Sequence, residues 1–394
     1  MQNNTTLDQT DDFFFTPESQ SSLICKSVAV AIVAMVAIVG NFLVVHTVWT
    51  NQRMQTATNY LIVNMAIADL LYMVLVIPPT FIVIYGSYEW PFRYSGRAIY
   101  FCQVVHFGQY LLVPVSVLTL ATIATDRFFA ITMPMKRLFT KKVYRSLMVV
   151  IWLVAAGLAA PILYAYRIKE FSGMLYCDED WSPAFDTTRA SRVYTIFLFA
   201  VAYCVPFVVM SVMYSVICRQ LWMRKIPGEQ DIEKSKKALE SRKKVVKMLI
   251  TVVVCFVLCW LPVQVATFLW DYSGVEISVD LNFILMFLMR SHSAVSPCIY
   301  AIFSQNYRQG FKKSLCCGHF IGEGGREEFS VSYNSHTQEA LLKTKSGRKR
   351  SPSVDWDNKA SYHRRNGKYN QRPNCRDLSL PNYDQLKTGV ATRV

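Results

Sequence analysis

Charged residues are scarce in this chain of 394 residues. Asp, Glu, Lys and Arg make up 18% of it and apolar residues 52%, whereas about 25% of a soluble domain is charged. A chain that is disordered throughout is excluded, because disorder requires low hydrophobicity. Cysteine is also sparse, since 11 residues over this length are too few for a small disulfide-stapled domain. The net charge of +15 would suit a nucleic-acid-binding protein. Whether the protein belongs to that class depends on where the charged residues lie relative to the apolar ones.

Seven long apolar runs explain the shortage of charge. Each reaches the roughly 20 residues that a helix needs to cross about 30 Å of hydrocarbon. They show no period-2 alternation, which a membrane barrel would require, and a helix bundle tolerates their prolines. We therefore predict an all-α membrane protein with seven transmembrane helices. The runs are approximately Ser27–Trp49, Tyr60–Tyr85, Ala98–Ile131, Leu147–Tyr166, Val193–Cys218, Val245–Trp270 and Leu281–Phe303.

Basic residues are absent from one end of the chain and concentrated in particular loops. Residues 1–25 contain four acidic residues and no Lys or Arg, whereas residues 133–145 contain five basic residues and no acidic one. Residues 224–247 contain nine basic and four acidic residues, and residues 304–394 contain 17 basic and eight acidic. Because cytoplasmic loops are enriched in Lys and Arg, we predict an extracellular N-terminus and a cytoplasmic C-terminus. The positive charge then faces the inner leaflet, and a nucleic-acid partner is not expected.

Four parts are predicted along the chain. Residues 1–24 form an extracellular N-terminus without the features of a signal peptide, and its sequons predict glycosylation at Asn3 or Asn4. Residues 25–303 form the bundle, 304–317 an amphipathic eighth helix on the membrane surface, and 318–394 a disordered cytoplasmic tail. The sequence shows no internal repeat, which argues against a transporter. It also shows no catalytic constellation or metal-ligand motif, which argues against an enzyme.

Polar residues inside the runs are functional candidates, because burying them in a membrane is costly. Asp126-Arg127-Phe128 ends the third run. Alone, this triplet fits a snorkelling arginine at a helix end equally well. Together with residues in the six other runs it resembles the rhodopsin-like G-protein-coupled receptors over roughly Ser27–Cys317. Those residues are Gly40-Asn41, Asn64, Ala68-Asp69, Trp152, Pro206, Tyr214, Phe256, Cys259 to Pro262, and Ser296-Pro297 with Tyr300.

The resemblance implies a two-state bundle that a ligand biases. Arg127 would be held by Asp126 in the inactive state and would meet the G protein in the active state. This chain has Phe128 where the family has Tyr and Ser296 where it has Asn, so its basal activity stays open. The other switch residues implied by the resemblance are Val117, Pro206, Tyr214, Phe256, Trp260, Pro262 and Tyr300.

The resemblance also implies a polar pocket and a disulfide. Ser116 stands at the position that shares a sodium ion with Asp69, and His292, Ser293 and Ser296 would complete the pocket. A network of water-satisfied hydrogen bonds explains the same residues. The implied disulfide joins Cys102 and Cys177. Cys316-Cys317 follow the amphipathic stretch and suggest palmitoylation, with unmodified thiols as the alternative.

Two positions exclude ligand classes. Amine receptors have an Asp at the position of Gln109, and opsins have a retinal-binding Lys at the position of Arg290, so neither ligand fits. Gln109, Glu179-Asp180-Trp181 and Asp271 resemble receptors for neuropeptide FF, RFamide peptides, neuropeptide Y and orexin. In that group the acid matching Asp271 pairs with an Arg near the amidated C-terminus of the peptide, and Gln109 would lie near the terminal amide. The implied aromatic walls are Tyr110, Trp260 and Phe268.

Arg290 fits this interpretation less easily, because a guanidinium inside a bundle needs a partner. It predicts either a structural role or contact with the ligand. The first hypothesis is a plasma-membrane receptor for an amidated neuropeptide with a basic residue near its end. A receptor of the same fold for a lipid or a small acid is the second hypothesis, and a transporter or membrane enzyme is the third. No cofactor is expected apart from the sodium ion.

Several partners are expected on the cytoplasmic side. The basic loops would contact a heterotrimeric G protein, while Arg348-Lys349-Arg350 would contact membrane lipids. Thr392-Arg393-Val394 fits the carboxylate-capture mode of PDZ domains. Tail hydroxyls predict receptor kinases and arrestin as further partners. They are Ser330, Ser332, Ser335, Thr337, Ser351 and Ser353.

Overall fold

The computed structural model describes residues 18–85, 97–133, 140–171, 174–223 and 232–316. Most of these residues are helical. Short helical turns at Gln52–Met54 and Ile162–Ala165 follow α1 and α4. The main helices are α1 Gln20–Thr50, α2 Ala57–Ile84, α3 Arg97–Thr132, α4 Lys141–Ala159, α5 Thr187–Met223, α6 Ile232–Ser273, α7 Val279–Phe303 and α8 Gln305–Cys316.

The first six of these helices, with the turn after α4, provide segments long and apolar enough to cross a membrane. α7 has 25 residues, which also suffices for a crossing, but it is more polar because it carries Arg290, His292 and Ser293. His292 and Ser293 are buried inside the bundle, where polar groups find partners. The prediction of seven membrane helices is confirmed, and the surface between their ends is apolar. Its exposed side chains include Trp49, Val74, Leu153, Val208 and Ile302.

Short polar side chains begin several helices. Each accepts a hydrogen bond from a backbone N–H in the first turn, which otherwise has no partner within the helix. Asp186 caps α5 in this way, accepting from the N–H of Arg189 at 2.8 Å. Because the capped α1 begins at Gln20, it starts inside the segment that we predicted to be the extracellular N-terminus. The other capping residues are Ser19, Thr56, Thr140 and Ser278.

The fourth and fifth spans differ from their prediction. The run that was expected to reach Tyr166 ends as α4 at Ala159, because Pro161 follows and cannot continue the helix ladder. Tyr166 instead begins a strand. β1 (Tyr166–Phe171) pairs antiparallel with β2 (Met174–Glu179), a hairpin that the sequence did not predict. The fifth span contains a π-helical turn at Phe199–Cys204.

Gly40 allows α1 to approach α7 closely. A Cβ atom at this position would lie 2.6 Å from Cγ of Pro297, and the proline ring has little freedom to move. Asn41, the next residue, donates from its side chain to the carbonyl of Ser293 at 2.8 Å. The two helices are therefore held together by a close backbone approach and a buried hydrogen bond.

Gly40→Ala is expected to destabilise the bundle, because the added methyl group must displace Pro297. Overpacking of this kind costs about 1–3 kcal/mol. Gly157 is the matched control, since a Cβ there would meet nothing within 4 Å. Gly157→Ala should stabilise its helix by roughly 0.5–1 kcal/mol. Thermal unfolding of the two purified variants tests the difference, and equal melting temperatures would contradict the contact.

α8 packs against α1 and α7. Tyr307 is buried, its ring lies 5.3 Å from that of Tyr300, and its hydroxyl donates to the side chain of Asn59 at 3.2 Å. Ser314 lies 2.9 Å from the imidazole of His46. The predicted eighth helix is present over Gln305–Cys316 and attached to the bundle.

Several predicted sites lie outside the described residues. They are Asn3, Asn4, Cys317, the tail hydroxyls Ser330, Ser332, Ser335, Thr337, Ser351 and Ser353, the basic triplet Arg348–Arg350, and Thr392–Val394. The side chain of Cys316, at the end of α8, also lies outside the described part of the chain.

Candidate functional site

The hairpin is fastened across the end of the bundle where α3 begins. Cys102 on α3 forms a disulfide with Cys177 on β2, with the Cα atoms 5.8 Å apart, as the resemblance implied. The ring of His106, one turn further along α3, stacks on Tyr166 with centroids 3.8 Å apart. Cys102, His106 and Cys177 lie close enough together to suggest a metal site. Both sulfurs are already joined in the disulfide, however, so the thiolates that a metal would need are missing. The hairpin therefore has a fixed position over the bundle.

Several acidic residues at this end are already bound within the protein. Asp180 accepts hydrogen bonds from the Ser182 N–H at 2.9 Å and the Thr187 hydroxyl at 3.0 Å, and lies 3.4 Å from Nζ of Lys169. The bonds from Ser182 and Thr187, with the charge of Lys169, hold the pKa of Asp180 below its usual range. Asp280 is paired with Lys26 at 2.8 Å. These two acids hold loops and helix ends in place.

Asp271 and Gln109 differ from Asp180 and Asp280 in lacking hydrogen-bond partners among the described residues. Both are half-buried, and neither makes a hydrogen bond or ion pair with any residue in the described part of the chain. Oε1 of Glu179 accepts a hydrogen bond from the indole N–H of Trp181 at 2.6 Å. The other carboxylate oxygen makes no hydrogen bond within the described residues. The end of the bundle thus offers an unpaired carboxylate and an unpaired amide near the hairpin.

Aromatic rings line this end. Tyr110 lies 6.1 Å from Tyr194 of α5, and Phe268 of α6 makes an edge contact with Phe199 at 5.0 Å. Of the three predicted wall residues, Tyr110 and Phe268 are half-buried and Trp260 is buried. The π-helical turn places Phe199 opposite α6. An aromatic or basic side chain of a ligand would find ring faces here.

Deeper in the bundle, His292 lies at the centre of an aromatic cluster that the sequence did not reveal. Its ring lies 5.5 Å from Trp260, 5.2 Å from Phe256 and 5.4 Å from Tyr72. Trp260 and Phe256 stack at 5.8 Å, and Phe256 lies 5.8 Å from Phe207 of α5. The predicted switch residues Trp260 and Phe256 therefore pack into one unit that joins α2, α5, α6 and α7.

The carboxylate of Asp69 lies directly below this cluster. Its Oδ1 accepts from the Ser293 hydroxyl at 3.3 Å and lies 3.6 Å from Nε2 of His292. Its Oδ2 is buried without a hydrogen-bond partner, a costly state that a cation or a water would relieve. Ser116 and Ser296 are buried, but neither bonds to Asp69 in the described structure. The predicted sodium site therefore stays a prediction, with Asp69 Oδ2 as its one unpartnered buried carboxylate oxygen among the described residues.

At the opposite end of the bundle, Asp126 holds Arg127. The guanidinium donates to Asp126 Oδ2 from Nε at 2.9 Å and from Nη2 at 2.5 Å. Thr58 of α2 donates to the same oxygen at 2.9 Å and accepts from Arg127, while Tyr144 of α4 donates to Oδ1 at 2.5 Å. The predicted pairing of Asp126 with Arg127 is present. Thr58 and Tyr144 are members of the cluster that sequence reasoning missed.

The remaining predicted switch residues are buried between the two ends. Tyr214 and Tyr300 are both buried, and the Tyr300 hydroxyl has no hydrogen-bond partner. An unpaired buried hydroxyl is costly, so this group would gain from a new partner in a second arrangement of the helices. Val117 is buried and Pro206 and Pro262 lie within their helices.

The comparisons with known proteins agree with this arrangement. A family model described as 7 transmembrane receptor (rhodopsin family) matches residues 40–300. The Substance-K receptor of Bos taurus is 32% identical over 304 residues, which are 76% of this chain and 77% of that receptor. The RYamide receptor of Drosophila melanogaster is 30% identical over 73% of this chain and 64% of its own length. The QRFP-like peptide receptor of Branchiostoma floridae is 30% identical over 73% of this chain and 76% of its own length.

Proposed function

Because the chain belongs to the rhodopsin family of seven-transmembrane receptors and to its neuropeptide group, we propose that its ligand is a C-terminally amidated peptide with a basic residue near its end. The protein is a multi-pass plasma-membrane receptor and not an enzyme. The three relatives named above are peptide receptors by name, which favours a peptide over the lipid, small-acid and transporter hypotheses.

The observation that carries the proposal is the unpaired carboxylate of Asp271. It is half-buried beside aromatic walls, whereas Asp180 and Asp280 at the same end are engaged in internal bonds. A basic side chain of a peptide would pair with Asp271 and partly with Glu179, in a charge-assisted contact. Gln109 would take the terminal amide, since both partners carry a donor and an acceptor. Asp180 would act indirectly by fixing the loop.

Asp271→Asn is expected to reduce the potency of peptides ending in Arg-Phe-amide by roughly 10- to 100-fold, the equivalent of a charged hydrogen bond of about 1.5–3 kcal/mol. The side chain keeps its shape and loses only its charge. Second-messenger dose–response curves in transfected cells measure the effect. Asp280→Asn is the matched control, because Asp280 is already paired with Lys26. Equal potency in the wild type and Asp271→Asn would contradict the proposed contact.

Signal transfer would run from the pocket to Arg127. A ligand touching Trp260 shifts the ring cluster around His292, and Pro262 lets the far end of α6 move outward. Release of Arg127 from Asp126 would then open a G-protein surface, for which Tyr214 and Tyr300 supply new partners. The ligand would favour the active arrangement of the helices because it binds that arrangement more tightly than the inactive one. In this proposal the N-terminus would lie outside the cell and the C-terminus inside, as the distribution of Lys and Arg predicts.

A sodium ion bound by Asp69 Oδ2, with Ser116, Ser293 and Ser296 as oxygen donors, would favour the inactive arrangement. Such an ion supplies a positive charge to an otherwise unpaired carboxylate oxygen. The further sites that we propose follow from the sequence: glycosylation at Asn3 or Asn4, palmitoylation at Cys316 and Cys317, arrestin and receptor kinases at the tail, membrane lipids at its basic residues, and a PDZ protein at Thr392–Val394.

A further inference from the structure

Arg290 is a cation inside the bundle without a counter-ion. It is half-buried, and its Nε is shielded from solvent without a hydrogen-bond partner. No residue in the described ranges forms an ion pair or hydrogen bond with its guanidinium. Lys26, Arg127 and Lys169, by contrast, each pair with a carboxylate. An uncompensated charge in this position costs folding free energy, so its retention calls for a role outside the packing.

Arg290 lies on α7, two residues before His292 of the buried ring cluster. It interacts electrostatically with Tyr72, whose ring touches His292 at 5.4 Å. His292 in turn touches Trp260 at 5.5 Å. The indole N–H of Trp260 is also buried without an acceptor. Two unsatisfied donors, one of them charged, are therefore connected to the ring cluster around His292.

The buried acid of the bundle core does not serve Arg290. Asp69 is held by Ser293 and lies beside His292, and no ion pair joins it to Arg290 in the described structure. The remaining described carboxylates near the pocket, Glu179 and Asp271, belong to the hairpin end. A structural role for Arg290 would require a hydrogen bond or an ion pair to its guanidinium within the protein, and none is formed among the described residues.

We propose that Arg290 forms an anion subsite that takes a carboxylate of the peptide ligand. This inference rests on the proposed function and refines its ligand class. A neutral amide oxygen could accept a hydrogen bond from Arg290 but would leave its charge uncompensated, whereas a carboxylate supplies both acceptors and charge in a bidentate pair. The peptide is then dipolar, with a basic group at Asp271 and an acidic group at Arg290. In the proposed amidated peptide this carboxylate is an Asp or Glu side chain, and a free C-terminal carboxylate in place of the amide is the alternative source that the second test distinguishes.

The first test needs no ligand. Arg290→Met keeps the length and apolar volume of the side chain and removes the charge. The melting temperature of the purified, ligand-free receptor should stay the same or rise, because an uncompensated charge is lost. A clear fall in melting temperature would show that Arg290 pairs within the protein and would overturn the proposal. Arg192→Met is the matched control, since Arg192 is exposed and rests on the ring of Tyr272.

The second test compares three forms of one peptide that ends in Arg-Phe. The first form is an amide without acidic residues, the second an amide with a Glu beside the Arg-Phe pair, and the third has a free C-terminal carboxylate. On the wild type, one of the two acidic forms should be at least about 10-fold more potent than the neutral amide, as a bidentate charged pair requires. The more potent acidic form identifies the source of the carboxylate.

Arg290→Met should abolish that advantage while Arg192→Met retains it. Equal potency of all three forms on the wild type, or an unchanged advantage in Arg290→Met, would overturn the subsite. The proposed function would survive that outcome, because the neutral amide still acts. A receptor that answers none of the three forms contradicts the proposed function itself, so the two failures are distinguishable.

Discussion

Arg127→Ala should abolish ligand-stimulated G-protein signalling while leaving peptide binding intact. The guanidinium is held by Asp126 and Thr58 in this structure, and the active state needs it free to meet the G protein. Removing it leaves the ligand pocket untouched, because the pocket lies at the other end of the bundle. We therefore expect ligand-stimulated signalling to fall to the level of cells without the receptor, while the affinity for the peptide stays unchanged.

The measurement pairs a second-messenger assay with radioligand binding on the same membranes. Arg145→Ala is the matched control, since Arg145 is an exposed arginine at the same end of the bundle. A similar loss in both variants would indicate a general effect of basic charge and would contradict a specific role for Arg127. Undiminished signalling from Arg127→Ala would contradict the coupling mechanism as a whole.

Loss of the disulfide should be the second large effect. Replacing Cys102 and Cys177 with Ser frees the hairpin from α3. It removes a crosslink between two residues that are 75 positions apart in the sequence. The chain-entropy contribution of such a crosslink is about 4 kcal/mol. Because the hairpin carries Glu179 and leads into the loop that Asp180 fixes, peptide binding should be lost along with stability.

Saturation binding on cells, normalised to receptor at the surface, checks this expectation. Cys298→Ser is the control, because Cys298 is a free, exposed cysteine, and it should bind like the wild type. If the double Ser variant reaches the surface and binds peptide with unchanged affinity, the hairpin does not shape the pocket.

The helices of this fold could be predicted from the sequence because a membrane span is a local property. Twenty apolar residues in a row identify it whatever the neighbours are, and the predicted runs fall within the observed helices except in one place. Pro161 ended the fourth helix early, and the hairpin from Tyr166 was missed. Its strands are short and mixed in polarity, so no local pattern distinguishes them from the end of a span.

The site could be predicted only where a motif carried it. Asp126 and Arg127 are adjacent in sequence, and their pairing was expected. Thr58 and Tyr144 join them from other helices, and nothing in their own surroundings marks them. The acids Asp271 and Asp280 could not be told apart from the sequence either. Lys26 pairs with Asp280 because α1 and α7 are neighbours in the bundle, and this contact is not visible in the sequence around either residue.

The most direct test of a peptide receptor is nucleotide exchange on a purified heterotrimeric G protein, with the wild-type receptor in lipid nanodiscs and a peptide ending in Arg-Phe. We predict that exchange rises with peptide concentration and that Asp271→Asn shifts the curve to higher concentrations. The account would be contradicted if exchange stayed at the receptor-free rate at every concentration of the neutral and the acidic peptides. It would also be contradicted if the curves of the wild type and Asp271→Asn coincided.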